Sequence, residues 1–191
     1  MKRIYYVIYV LFLCLISCGL GGKSYPETVF EKVKLNSNKI PNGFKQHFKE
    51  IRGQLKVGNL VIVTPQNEVK KVNATEYVQN RYINMFDNDI RDLKDLKSNE
   101  ETAPILKAAL DMFQYADDIY KNDFPRIAKM IDEGRPAAEI DAAIAELEEE
   151  KSALMDEKYN SVHDMIMPYA DRHGVQYKML KTPGFGKSSD H

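Results

Sequence analysis

The sequence predicts an all-α fold, an antiparallel bundle of three long helices, or four counting Asn42 to Gln54. Three observations predict it. Apolar residues return every three or four positions over most of the stretch from Val78 to Tyr169, the repeat of a single helix face. Stop-and-restart signals at Ser98-Asn99 and at Gly134-Arg135-Pro136 cut that stretch into segments joined by short turns. The chain has 191 residues, 43% of them apolar and 29% charged, which is one ordinary globular domain. A formal net charge of −1 argues against a nucleic-acid protein.

The N-terminus reads as an address. Lys2 and Arg3 precede an apolar run from Ile4 to Ile16. That run has the length of a signal-peptide core and falls short of the roughly 20 residues a spanning helix takes. Leu15-Ile16-Ser17-Cys18 closes it. These four residues resemble the lipobox of bacterial lipoprotein precursors, with Leu15 at −3, Ile16 at −2, the small Ser17 at −1 and Cys18 at +1. The resemblance covers the signal peptide only. It implies a signal peptide over residues 1–17, cleavage before Cys18, a diacylglyceryl thioether on Cys18 and an acyl group such as palmitate on the new amine. Cys14 is the poorer candidate, because bulky Leu13 stands before it. Two or three acyl chains, at about 0.8 kcal/mol per buried CH2, hold a protein stably on a membrane. Such a mature chain keeps no thiol, which excludes disulfides, thiolate catalysis and cysteine metal sites. Gly19, where Asp would favour inner-membrane retention, implies the outer membrane of a Gram-negative envelope. The absence of acids over Gly19–Lys23 favours its periplasmic face.

Residues 18–26 read as the lipidated cysteine and a Gly-rich flexible tether. Residues 27–74 form a basic, irregular segment punctuated by Pro41 and Gly43. Within it Phe44, Phe48 and Ile51 fall at i, i+4 and i+7, a short helix face. Leu60-Val61-Ile62-Val63 and then Val69 and Val72, around Gln66-Asn67, fit a small β-hairpin or a plain extended segment.

The helical bundle is expected over residues 75–181. Thr75 is the expected N-cap of the first helix, whose stripe is Val78, Tyr82, Phe86, Ile90 and Leu93. The second opens near Asn99 with Pro104 in its first turn. Its stripe is Leu106, Leu110, Phe113, Tyr120, Phe124, Ile127 and Ile131, and Pro125 marks a kink or a break. Gly134 suits the C′ position and Pro136 the next first turn. The third stripe is Ile140, Ile144, Leu147, Leu154, Val162, Ile166 and Tyr169, with Met155 and Met165 at its edges. Glu146, Glu148, Glu149 and Glu150 belong to its exposed side, and Gly174 closes it. A helix of some 35 residues is about 50 Å long, so it needs a partner of similar length, which the second helix supplies. Residues 182–191 read as a disordered tail.

Charge is uneven. Residues 19–75 carry 10 basic and 4 acidic side chains, and residues 76–191 carry 15 and 24. The basic segment either rests on anionic headgroups or packs against the acidic bundle, with the second favoured.

The residues hold no recognisable catalytic constellation. No Glu-x-x-His, His-x-x-x-His or His-Glu-x-x-His occurs, so no metal site is expected. Asp87-x-Asp89 and Asp117-Asp118 read as solvated helix faces, without the glycine turn of a calcium loop. Eight Met and four His leave an axial haem ligand chemically available, but Met on a helical stripe is more often core filler. No Gly-x-Ser-x-Gly occurs, and Gly184-Phe185-Gly186-Lys187-Ser188 lacks the spacing of a phosphate loop. Asp118 is the acid expected to be partly buried, within reach of Tyr120, Tyr159 or Tyr169 as a satisfied core pair.

The expectation is a membrane-anchored, non-enzymatic envelope lipoprotein that binds or supports another envelope component, without cofactor and without nucleic acid. A carrier of a small ligand or metal, and an inhibitor or immunity-type lipoprotein, are the alternatives. The mature chain is similar in general character to small helical envelope lipoproteins of Gram-negative bacteria, a likeness that assigns no residue a role.

Overall fold

A computed structural model describes residues 22–40 and 43–178. The expected signal peptide, Cys18, Gly19 to Gly21 and the expected tail all lie outside the described residues. The described chain is mostly helical and carries one small two-stranded antiparallel sheet.

Helix α1 (Tyr25–Phe30) begins inside the expected tether. Ser24 caps it reciprocally: its hydroxyl takes the Glu27 amide, and the Glu27 carboxylate takes the Ser24 amide at 2.7 Å. Pro26 stands in the first turn, where its missing N–H costs nothing. The helix runs directly into a π-helical stretch, Glu31–Leu35. Helix α2 (Lys45–Lys56) follows and buries Phe48 and Ile51, with Phe44 buried just ahead of it. Strands β1 (Val61–Val63) and β2 (Val69–Lys71) then form the hairpin, with Ile62 opposite Lys70.

Helices α3 (Ala74–Arg81) and α4 (Asp87–Asp95) replace the first expected long helix. The cap of α3 is Asn73, not Thr75: its side chain accepts the Glu76 amide at 2.8 Å. All five stripe residues still face inward, Ile90 only in part. What breaks is the backbone at Tyr82–Phe86, where aromatic and β-branched residues adjoin Asn84, Asp87 and Asn88, all weak helix formers.

Helices α5 (Ala103–Asp132) and α6 (Ala137–Arg172) are the long antiparallel pair. Pro125 lies inside a helix that continues past it. The turn between them is a Schellman cap: Gly134, at φ +67°, donates to Ile131 and Arg135 donates to Met130. Pro136 sits at the N-cap of α6 rather than in its first turn. Gly174 ends α6 with the same motif, and Val175 folds back onto the core. In α6 the inward residue is Met155, whereas Leu154 is exposed. Leu110 and Ile131 of α5 are only half-buried.

Two side chains from the long pair cap the short helices. Glu148 accepts the amides of Phe44 at 2.7 Å and Lys45 at 3.1 Å, so this member of the glutamate cluster is not a free surface acid. Asp132 accepts the amides of Ala74 and Thr75, both at 2.8 Å. These bonds fix a direction. The chain enters beside Lys97 and Thr102, where Tyr25 is hydrogen-bonded. Residues 25–56 descend along α6, and the hairpin packs against α3, whose first residue Ala74 is held by Asp132 at the end of α5. Helices α3 and α4 climb back along α5. Entry point and hairpin are therefore separated by the length of α5, about 45 Å.

Candidate functional site

The polar centre of the bundle is His47 on α2. Its Nδ1 lies 3.0 Å from the Tyr82 hydroxyl and its Nε2 lies 3.2 Å from that of Tyr120. Tyr120 is fully buried and Tyr82 nearly so. Burial holds His47 below its ordinary pKa of 6.5, outweighing the opposing pull of Glu50; Arg81 pushes in the same downward direction. Burial also pushes the Tyr82 phenol up to about 12, and the Tyr120 phenol higher still. A neutral imidazole between two neutral phenols satisfies both ring nitrogens, one as donor and one as acceptor. Phe44, Phe48 and Phe124 pack around it, and it opens onto neither surface groove described below. Its chemistry is that of a satisfied core knot.

The expected acidic pair does not form. Asp118 is exposed and takes a bond from Asn122, away from Tyr120, Tyr159 and Tyr169. Its neighbour Asp117 turns toward α4 instead. It shares Lys121 with Asp87 beside a shallow groove between α4 and α5. Asp89, expected on a solvated face, is 3% exposed and is held by Lys39 through both oxygens, at 2.8 and 2.7 Å. Among the described residues, no group of three or more His, Cys, Asp or Glu side chains is placed to hold a metal ion.

The basic segment spends much of its charge internally. Lys32 pairs with Asp92, Lys39 with Asp89, Arg52 with Asp141 and Lys70 with Glu76. Each cation comes from before residue 75 and each acid from after it. Of the two readings of the charge asymmetry, packing against the acidic bundle is the one these pairs support.

Two surfaces remain with unmatched groups. The first is the hairpin. The Val72 amide donates to the Leu60 carbonyl and the Thr64 amide to the Glu68 carbonyl, so in this register Val61, Val63, Val69 and Lys71 turn their backbone groups outward. Leu60 and Val72 are buried against the bundle, whereas Val63 and Val69, directly opposite each other, are 62% and 70% exposed. All three residues of β2 are exposed. This is a bare valine face next to an open strand edge.

The second is a groove of about 850 Å³ at the chain-entry end. It runs between the π-helical stretch, the upper part of α6 and residues 175–178. The wider π turn places Lys34 on the inward side together with Val33. Lys34 is 9% exposed; its Nζ donates to the Tyr159 hydroxyl at 2.7 Å and lies 4.6 Å from that ring's centre. The sequence hid this side chain because a lysine is almost never buried without a partner, and its partner Tyr159 lies 125 residues away.

Cys18, the expected lipidation site, lies outside the described residues. Among the described residues, no helix is long and apolar enough to cross a membrane. Comparison with protein-family models, curated proteins and solved structures finds no match.

Proposed function

We propose that this protein is a non-enzymatic, membrane-anchored lipoprotein of a bacterial envelope. Its lipid on Cys18 holds one end of the molecule, and its hairpin end docks another envelope protein. The helical body acts as a rigid spacer: α5 packs against α6 on one side and against the split pair α3–α4 on the other, with α2 as a short fourth member.

One observation carries the reading. The chain enters at Tyr25 beside Thr102 at the start of α5, and Ala74, just after the hairpin, is held by Asp132 at the other end of that helix, which is about 45 Å long. A tether of six residues reaches about 20 Å from the lipid, so a bundle standing on it holds the hairpin clear of the bilayer. The partner chemistry follows from the hairpin. The outward amides of Val69 and Lys71 accept an added strand, Val63 and Val69 supply apolar contact, and Lys71 favours an acidic neighbour.

The test is metabolic labelling with palmitate followed by membrane fractionation, using Cys18→Ala as control. The proposal expects label on the wild-type chain in the membrane fraction and none on the variant. Label that survives Cys18→Ala, or a wild-type chain recovered without lipid, would contradict it.

A further inference from the structure

We infer that the groove beneath the π-helical stretch binds an amphiphile with an anionic oxygen head group, carboxylate or phosphate, and a short apolar chain. Lys34 is the head-group residue. Three independent features lead there.

The first is an unmatched charge. Among the described residues, no carboxylate lies within salt-bridge distance of the Lys34 ammonium. It makes one hydrogen bond, to a neutral phenol, although it has three donors. A buried ammonium ordinarily has an anionic partner.

The second is that the acids in the groove are already engaged. Glu27 is held by the Ser24 cap and Glu31 by Lys23. Those bonds keep both carboxyls below their ordinary pKa, hence ionised and committed. Lys178, at the other wall, has no salt-bridge partner among the described residues. Lys34 and Lys178 are therefore the groove's cations without an ion-pair partner among the described residues, whereas of its acids Glu31 is paired with Lys23 and Glu27 is held in the Ser24 cap.

The third is the wall chemistry. Phe30, Leu35, Ile40, Met167 and Val175 line the rest of the groove, and its volume falls in the ordinary range for small-molecule sites. Phe30 is stacked on Tyr177 at 5.1 Å, which fixes the apolar wall. Lying at the chain-entry end, the groove also faces the side from which a lipid head group would come. The shared chemistry has two sources, a free amphiphile or an anionic lipid of the anchoring membrane. This inference is independent of the docking role of the hairpin.

Equilibrium dialysis of radiolabelled octanoate against the full chain in phosphatidylcholine nanodiscs, with empty nanodiscs as blank, tests it. The expected result is saturable binding at one site. Octyl phosphate should compete, and octanol and octylammonium should not. Lys34→Met should weaken octanoate by roughly tenfold or more, the weight of a charge-assisted contact. Exposed Lys178→Gln, which threatens no packing, should weaken it by a smaller factor, and the distant Lys129→Met should leave it unchanged. Nanodiscs containing phosphatidylglycerol separate the sources. Loss of octanoate binding there assigns the groove to a lipid head group, and retention assigns it to a free amphiphile. Octanol competing as well as octyl phosphate would overturn the inference, and so would wild-type affinity in a folded Lys34→Met chain. The head-group comparison needs no variant, so it decides even if Lys34→Met fails to fold.

Discussion

Phe124 touches more of the aromatic core than any single spacing rule announces. Its ring centre lies 4.3 Å from Tyr120, 4.7 Å from Phe48, 5.3 Å from Tyr82, 5.6 Å from His47 and 6.1 Å from Phe44. It joins α2, α3 and α5 in one contact. Phe124→Ala should cost about 3–5 kcal/mol, read as a fall in the urea midpoint at constant slope. His47 makes the fold sensitive to pH. Its folded pKa is lower than its unfolded value of 6.5, because burial disfavours the imidazolium. The unfolded chain therefore binds more protons between the two values. Stability is full above about pH 6.5 and declines as pH falls toward the lower folded value. The carboxylates that hydrogen bonds and ion pairs keep low, Glu76, Asp92 and Glu101 among them, act only below their ordinary range near 4 to 4.5. Melting temperature measured from pH 7.5 to 5 should thus fall in the wild type, and His47→Gln should flatten that slope. An equal slope in the variant would assign the effect elsewhere.

At the scale of elements, what was legible in the sequence is what local chemistry decides. The stripes of α5 and α6, and the two glycine caps at 134 and 174, are set by a helix period and a positive φ. The hairpin was half legible, since Leu60 and Val72 alternate correctly while the turn has Asn67 in the left-handed region without a glycine. What stayed hidden depends on partners far away in sequence. Past the weak helix formers that end α3, Tyr82 stacks on Tyr120 and Phe86 packs on Phe113, contacts that the stripe alone did not assign. Asp89 looked solvated because Lys39, its partner, is 50 residues away. The Glu148 cap on α2 spans 104 residues. It also explains Gly43, whose φ is +86° and whose added Cβ would collide with the Glu148 carboxylate. Glu148→Ala should cost about 1 kcal/mol, the usual weight of an N-cap. Gly43→Ala should cost at least as much, and the double variant should cost less than the sum. Additivity in that cycle would mean the two residues do not share the cap.

The two ends of the molecule are unlike, and the proposed spacer role rests on that difference. The chain enters, and the Lys34 groove opens, at one end, and the valine face of the hairpin lies at the other. Composition foretold the charge asymmetry, but only the fold decided where the basic residues went, and Lys32, Lys39, Arg52 and Lys70 pair with acids of the later helices. Those ion pairs are mostly at the surface and are worth little individually, so the body should tolerate salt. The central claim is that anchor and docking face act at opposite ends. Photo-crosslinking in cells tests it most directly, with benzoylphenylalanine placed at Val69 and, for comparison, at exposed Leu154 on the side of α6. One recurrent envelope protein should be captured from Val69, sharply reduced in the Cys18→Ala chain and missing from Leu154. The same adducts from both positions, or from the unanchored chain at full yield, would contradict it.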